Sequence, residues 1–362
     1  MWNVARKLHR WLGIALALPL VAQAVTGCII AFDEPAVVGI TQAPGARQKV
    51  SAIIAAAHAA APDLLPSHYR TGMLPQSLAS VDLAATGQRD AELRLTIDPV
   101  TLAVVSVDQA TQPYWRLARD LHENLLIPLS GGRSIIGWFG VGLLVLGITG
   151  ALLWWQRPRQ DLARRGSMSN VWFLRELHAG IGIWLVAMLF VQAVSGISLA
   201  FPRTMRSLLG IEARPAINVG ADGGTLDVDA VVERATTAVP GAQLTDLLLP
   251  RAPGRPAIAV MRIEAGWDGA PPAIAAISPS GRRVLSLQDP RQQSAVALLG
   301  WLRALHTGAA FGLLWRAAVI LLGLLLPLLP ITGLLMWLHR HRRRGRIGRT
   351  GPSRTPLRLN AK

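Results

Sequence analysis

Cysteine is nearly missing from this chain of 362 residues, where Cys28 stands alone. That excludes an internal disulfide framework and a cysteine-ligated metal cluster. Charge is scarce as well. Only 16% of residues are Asp, Glu, Lys or Arg, against about a quarter in soluble domains. No Gly-x-Gly-x-x-Gly motif follows a strand-like run, so no nicotinamide or flavin site is expected within the chain. What fills the chain instead is apolar, at 51% of residues. The net charge of +16 is excluded from the apolar runs and must sit in connections and tail. Basic loops flanking membrane spans account for it better than a nucleic-acid surface does, and no nucleic-acid partner is expected.

Four runs, 11–32, 135–155, 179–201 and 317–338, contain no Asp, Glu, Lys or Arg. Each has the roughly 20 apolar residues that a helix needs to cross a bilayer core. Arg6, Lys7 and Arg10 precede the first run, Arg157, Arg159, Arg164 and Arg165 separate the second from the third, and Arg340, Arg342, Arg343, Arg344 and Arg346 follow the fourth. The positive-inside rule puts these three segments, and both termini, on the cytoplasmic side of the membrane. Tryptophans 11, 138, 154, 155, 184, 315 and 337 cluster near the run ends, as an interfacial aromatic belt does. Residues 1–28 mimic a secretory signal, and Val25-Thr26-Gly27-Cys28 mimics a lipoprotein cleavage site. The apolar run continues past Cys28 to Phe32, so a retained helix is expected, with Thr26-Gly27 and Ser195-Gly196 serving close helix packing.

The chain repeats itself. Residues 7–32 and 176–201 are identical at 12 of 26 aligned positions. Ile148-Thr149-Gly150 aligns with Ile331-Thr332-Gly333, and Leu121-His122 with Leu305-His306. The expected organisation is a four-transmembrane-helix bundle from a tandem duplication, carrying two periplasmic α+β domains. Its parts are an N-terminal segment and first span (1–32), a first periplasmic domain (33–133), a second span (134–156) and a basic cytoplasmic loop (157–177). A third span (178–201), a second periplasmic domain (202–316), a fourth span (317–338) and a basic tail (339–362) complete it. In the outer segments, helical stretches at 50–61 and 226–239 precede alternating runs at 92–97, 102–107, 257–263, 273–277 and 283–287, which suit half-buried antiparallel strands.

Four of the eight histidines occupy repeat-equivalent positions, His9 with His178 and His122 with His306. Ionisable groups at a membrane span are costly and tend to be functional. Imidazoles from two facing helices supply the axial ligation of a b-type haem. Zinc, which favours four N or S ligands, fits two lone histidines poorly. Gly13 and Gly182, one turn after His9 and His178, are expected to leave room for a flat macrocycle. His339 and His341 break the repeat, and His339 is an alternative ligand on the inner side. His58 and His68 are expected to be solvated.

The segments Leu8-His9-Arg10-Trp11-Leu12-Gly13, Leu121-His122-Glu123-Asn124-Leu125, Leu177-His178, Leu305-His306-Thr307-Gly308 and Ile331-Thr332-Gly333 resemble the PepSY-associated transmembrane family of bacterial iron-regulated membrane proteins. The outer modules resemble PepSY domains. The resemblance spans all but the last fifteen or so residues. It implies a di-haem reductase of the inner membrane that delivers electrons to a periplasmic ferric siderophore and releases Fe(II). It makes His9, His122, His178 and His306 the haem-iron ligands of two b haems, with His339 competing on the inner side. The electron donor is then a separate molecule, a quinol or a cytoplasmic reductase, and the remaining partner is membrane lipid. The competing reading is a non-catalytic membrane protein whose PepSY modules bind or regulate a peptidase or sensor partner.

Overall fold

The computed structural model describes residues 2–32, 39–72, 74, 76–87, 91–127, 131–156, 170–211, 219, 225–252, 254–263 and 270–347. The basic connection with Arg157, Arg159, Arg164 and Arg165 lies outside them. Helices α1 (Trp2–Ala15) and α2 (Ala17–Phe32) lead to α3 (Val50–Ala60) and four strands, β1 (Leu65–Thr71), β2 (Ala79–Ala84), β3 (Leu93–Ile97) and β4 (Val104–Gln109). Helices α4 (Pro113–Asn124) and α5 (Gly131–Trp155) close the first half. The second half follows the same order. It runs α6 (Asn170–Ala200), a short α7 (Pro202–Leu208), α8 (Val228–Ala238), and strands β5 (Ala242–Leu248), β6 (Ala257–Ile263), β7 (Ala273–Ile277) and β8 (Val284–Gln288). It ends in α9 (Ser294–Thr307), α10 (Gly312–Leu325) and α11 (Leu328–Ile347).

Among the described residues, three helices are long and apolar enough to cross a membrane, Gly131–Trp155, Val171–Ala200 and Gly312–Arg342. The first expected span is bent by 59° between α1 and α2. Pro19 explains the break. It has no N–H for the carbonyl of Ala15, and its ring collides with that carbonyl. The aligned position in α6 is Met188, and α6 runs unbroken. Pro327 leaves a local break between α10 and α11 within the Gly312–Arg342 span.

The chain divides into two compact units. One is drawn from the segments up to Val25, from Phe139 to Ala193 and from Leu322 onward. Its small apolar core joins Ala24, Leu189, Leu322 and Leu326. The other, formed from Thr26–Trp138 and Val194–Leu321, holds the sheet. The two segments expected as separate α+β domains share one antiparallel sheet of eight strands, in the order β4-β3-β2-β1-β5-β6-β7-β8. The seam is β1 against β5, with Tyr69 opposite Leu247 and Arg70 opposite Asp246. Helices α3 and α8 cover one face, where Ile53, Ala57, Val231 and Ala235 meet Tyr69, Leu83, Leu95, Leu247 and Met261. Asp229 links the two helices by accepting from the Ser51 hydroxyl at 2.7 Å.

The opposite face carries charge. Buried Asp82 accepts from Arg70 at 2.7 Å and from Arg94 at 2.8 Å. His68 contributes to this network, receiving Arg70 on Nδ1 at 2.8 Å and meeting Asp246 at 3.1 Å. It is therefore not the solvated residue expected, and nor is His58, whose Nδ1–H donates to the Leu64 carbonyl at 2.9 Å. Burial pushes the Asp82 carboxyl up, but the hydrogen bonds and charges of Arg94 and Arg70 outweigh it and hold the group below its ordinary value of 3.8. A depressed carboxyl contributes stability at all pH above its unfolded-state value and loses it as pH falls through the folded value. Asp82→Asn is expected to cost about 3 kcal/mol, because Arg94 loses the carboxylate it pairs with and Arg70 is left with Asp246 at 3.7 Å. Denaturant unfolding followed by the sheet signal should also show a flatter decline below about pH 4 in the variant than in the parent.

Candidate functional site

The four repeat-equivalent histidines form two pairs, one in each unit. His9 on α1 faces His178 on α6, with ring centres 6.2 Å apart and planes at 88°. His122 on α4 faces His306 on α9, with ring centres 6.3 Å apart and planes at 49°. His122 and His306 do not belong to the spans themselves. They lie in the last turns of short helices that end in left-handed caps, Leu125 at φ 55° and Gly308 at φ 86°. Glycine meets that conformation without strain, whereas Leu125 adopts it at a cost.

Each histidine is held by a buried hydroxyl. Thr149 on α5 meets His9 Nδ1 at 2.9 Å, and Thr332 on α11 meets His178 Nδ1 at 2.9 Å. Thr26 on α2 meets His122 Nδ1 at 3.1 Å, and Ser195 on α6 meets His306 Nδ1 at 3.2 Å. In the first pair the direction of these bonds can be worked out. Thr149 Oγ1 donates its one proton back to the Val145 carbonyl at 2.7 Å, and Thr332 Oγ1 donates to the Leu328 carbonyl at 2.6 Å. Each oxygen is then left to accept from the imidazole. Nδ1–H of His178 also donates to the Leu329 carbonyl at 3.0 Å, and a carbonyl can only accept. Both rings thus carry their proton on Nδ1, which puts the lone pair on Nε2. Metal-ligating histidines are held in this way, with the far nitrogen anchored and the near one basic.

A glycine follows every one of these hydroxyls. A Cβ added at Gly27 would lie 3.0 Å from His122 Cε1, at Gly196 3.0 Å from His306 Cε1, at Gly150 3.1 Å from His9 Cε1, and at Gly333 3.6 Å from His178 Cε1. The Thr-Gly and Ser-Gly pairs expected to serve helix packing therefore seat imidazoles. A Cβ added at Gly13 would lie 3.7 Å from Leu146, and one at Gly182 3.8 Å from Leu329, both ordinary contacts. The four hydroxyls were readable as a pattern, one hydroxyl–glycine pair for each candidate ligand.

His339 joins neither pair. Its Nδ1–H donates to the Leu335 carbonyl of its own helix at 2.9 Å, and His341 packs on Trp337 at 4.5 Å. Of His9, His178 and His339, the rings that face each other are those of His9 and His178.

The spacing can be compared with a metal bound between two rings. With metal–nitrogen bonds of about 2 Å and a ring nitrogen about 1.2 Å from its ring centre, two imidazoles on opposite sides of one ion have centres about 6.4 Å apart. Both pairs come near that spacing, so the two imidazoles of each pair could hold the iron of a b haem, which would supply one-electron chemistry there. Among the described residues, no group of three or more His, Cys, Asp or Glu gathers as a metal cluster.

Residues 6–340 match the model of a family described as the PepSY-associated TM region. No curated protein shows a significant match to the chain.

Proposed function

The chain belongs to the PepSY-associated transmembrane family, and on that premise we propose that it is a di-haem b reductase of the bacterial inner membrane acting on periplasmic ferric siderophores. The observation that carries this reading is the pair of facing histidine couples at haem-ligand spacing, each histidine anchored through Nδ1 by a hydroxyl. On this reading the halves are copies of one unit, both termini are cytoplasmic, and the sheet is periplasmic. His9 and His178 hold one haem toward the cytoplasm, and His122 and His306 hold a second toward the periplasm.

Bound haem supplies reversible one-electron chemistry, which the amino acids here cannot. The chain's part is placement and tuning. Thr149 and Thr332 keep the proton on Nδ1 and so keep Nε2 available to iron without a tautomer search. Gly27, Gly150, Gly196 and Gly333 let neighbouring helices approach the imidazole edges. A separate donor, quinol or cytoplasmic reductase, delivers the electrons. The siderophore's Fe(III), once reduced to Fe(II), is held far less tightly and is released.

Purified from membranes, the protein is expected to show a Soret band, and a pyridine haemochrome assay should give close to two haems per chain. Dithionite-reduced protein is expected to be reoxidised by ferric siderophore without oxygen, with ferrous iron captured by a chelator. Haem-bearing protein that needs oxygen for reoxidation and yields no ferrous iron would defeat the reductase assignment.

A further inference from the structure

The histidines share a second pattern. Arg6-Lys7-Leu8-His9, Arg119-Asp120-Leu121-His122, Arg175-Glu176-Leu177-His178 and Arg303-Ala304-Leu305-His306 all read Arg-x-Leu-His. Every copy lies within a helix, respectively α1, α4, α6 and α9. Residues three apart on a helix share a side, with Cβ atoms about 5–6 Å apart. Each arginine is therefore the histidine's neighbour, one turn toward the helix N-terminus. All four arginines are exposed, although none stands in the sequence of an apolar run. A guanidinium at a fixed offset from a ligand, repeated four times, is more than the positive flank of a span requires. The flank needs charge, not register.

Two arginines accompany each histidine pair, and a b-type haem carries two carboxylates. Resting on the di-haem reading, we propose that these arginines bind the haem carboxylates, Arg6 and Arg175 at the first pair, Arg119 and Arg303 at the second. The planar fork of a guanidinium matches a carboxylate with two parallel N–H···O bonds. The second site carries a further sign of an acceptor. Trp115 Nε1 is buried with no hydrogen-bond partner among the described residues, and the Arg119 guanidinium lies 5.3 Å from the Trp115 ring. A carboxylate beside Arg119 gives that buried N–H a partner. Arg119 now donates to Glu123 at 3.1 Å, and Glu123 also accepts from Arg133 at 3.3 Å. Arg133 keeps Glu123 neutralised when Arg119 turns to the haem.

The test uses the purified full-length chain loaded with native haem or with haem dimethyl ester, whose carboxylates are blocked. Release is followed by transfer to excess apoglobin. The ester is expected to leave wild type about tenfold faster than native haem, the scale of losing charge-assisted hydrogen bonds. The Arg119→Gln/Arg303→Gln double variant should release native haem from one site at the ester's rate. At that site it should also shift the ferric-to-ferrous ratio about tenfold toward ferric, a fall of about 59 mV in midpoint potential for one electron. Arg119→Lys/Arg303→Lys, which keeps the charge, should retain the wild-type potential, so a shift confined to the Gln pair is not misfolding. If the Gln pair keeps the wild-type native-to-ester ratio and potential, the proposal is overturned. That includes the case where only binding to anionic vesicles weakens, which makes the arginines lipid-phosphate anchors. Wild type that binds no haem overturns the reading beneath it instead.

Discussion

Alanine at His122 or His306 is expected to take the haem content from two to one per chain and leave the His9–His178 site reducible by dithionite. The two histidines of a pair come from different helices, α4 and α9 here, and one imidazole alone would not hold the haem. The loss should exceed the roughly 10–100-fold drop in affinity typical when an outer-shell partner is removed. Electrons then reach the first haem and stop, so reoxidation by ferric siderophore should slow to the rate of the uncatalysed mixture. His9→Ala or His178→Ala should spare the second haem and abolish reduction by the natural donor. His339→Ala should behave as wild type, since its Nδ1 bonds within its own helix. Haem content and spectrum unchanged in all four variants of the paired histidines would reduce them to packing residues.

A graded result is expected from the glycines, with no ligand or hydroxyl touched. Gly196→Val should empty the second site about as fully as His306→Ala does. Its first added carbon already lies 3.0 Å from His306 Cε1, and the branched methyls reach further into the ring. The expected stability cost is only about 1–3 kcal/mol, the range for overpacking, so the variant should still be extractable and helical. Gly27→Val should do the same through His122, also 3.0 Å away. Gly333→Ala is the internal control. Its added carbon meets His178 Cε1 at 3.6 Å, an ordinary contact, and haem content should remain at two. Haem retained in Gly196→Val and Gly27→Val would mean that the rings are free to move, and that their seating does not matter.

The paired histidines were legible because a repeat singles them out. A lone histidine near a membrane face says little, whereas four at matched positions say a great deal. Their hydroxyl partners were legible only as text. Thr149-Gly150 and Thr332-Gly333 lie 140 and 154 residues from the rings they hold, and no local period connects them. The hairpins β3–β4 and β7–β8 were readable from alternation and turn chemistry, Asp98-Pro99 and Ser278-Pro279-Ser280-Gly281. Strands β1 and β5 were not. Leu65-Pro-Ser-His-Tyr-Arg-Thr71 lacks apolar alternation. The polar face of neighbouring β2 is buried through ion pairs that hydropathy cannot anticipate. The bend in the first span was readable in Pro19, which an apolar count ignores.

The strand order 4-3-2-1-5-6-7-8 reads the same from either end when halves are exchanged. On the duplication reading, β1 against β5 is what two separate copies of an ancestral half would form by pairing identical edges around a twofold axis. An unfused half would present β1 as an open edge, an adhesive template for any passing chain. Fusion satisfies that edge within one polypeptide, independently of concentration. It also ends an obligation. Subunits of a homodimer must change together, but fused copies drift separately. The differences are already visible in Pro19 against Met188 and Glu123 against Thr307. On the proposed di-haem reading such asymmetry has a use, because two identical ligand helices cannot be tuned apart, whereas two that have diverged can.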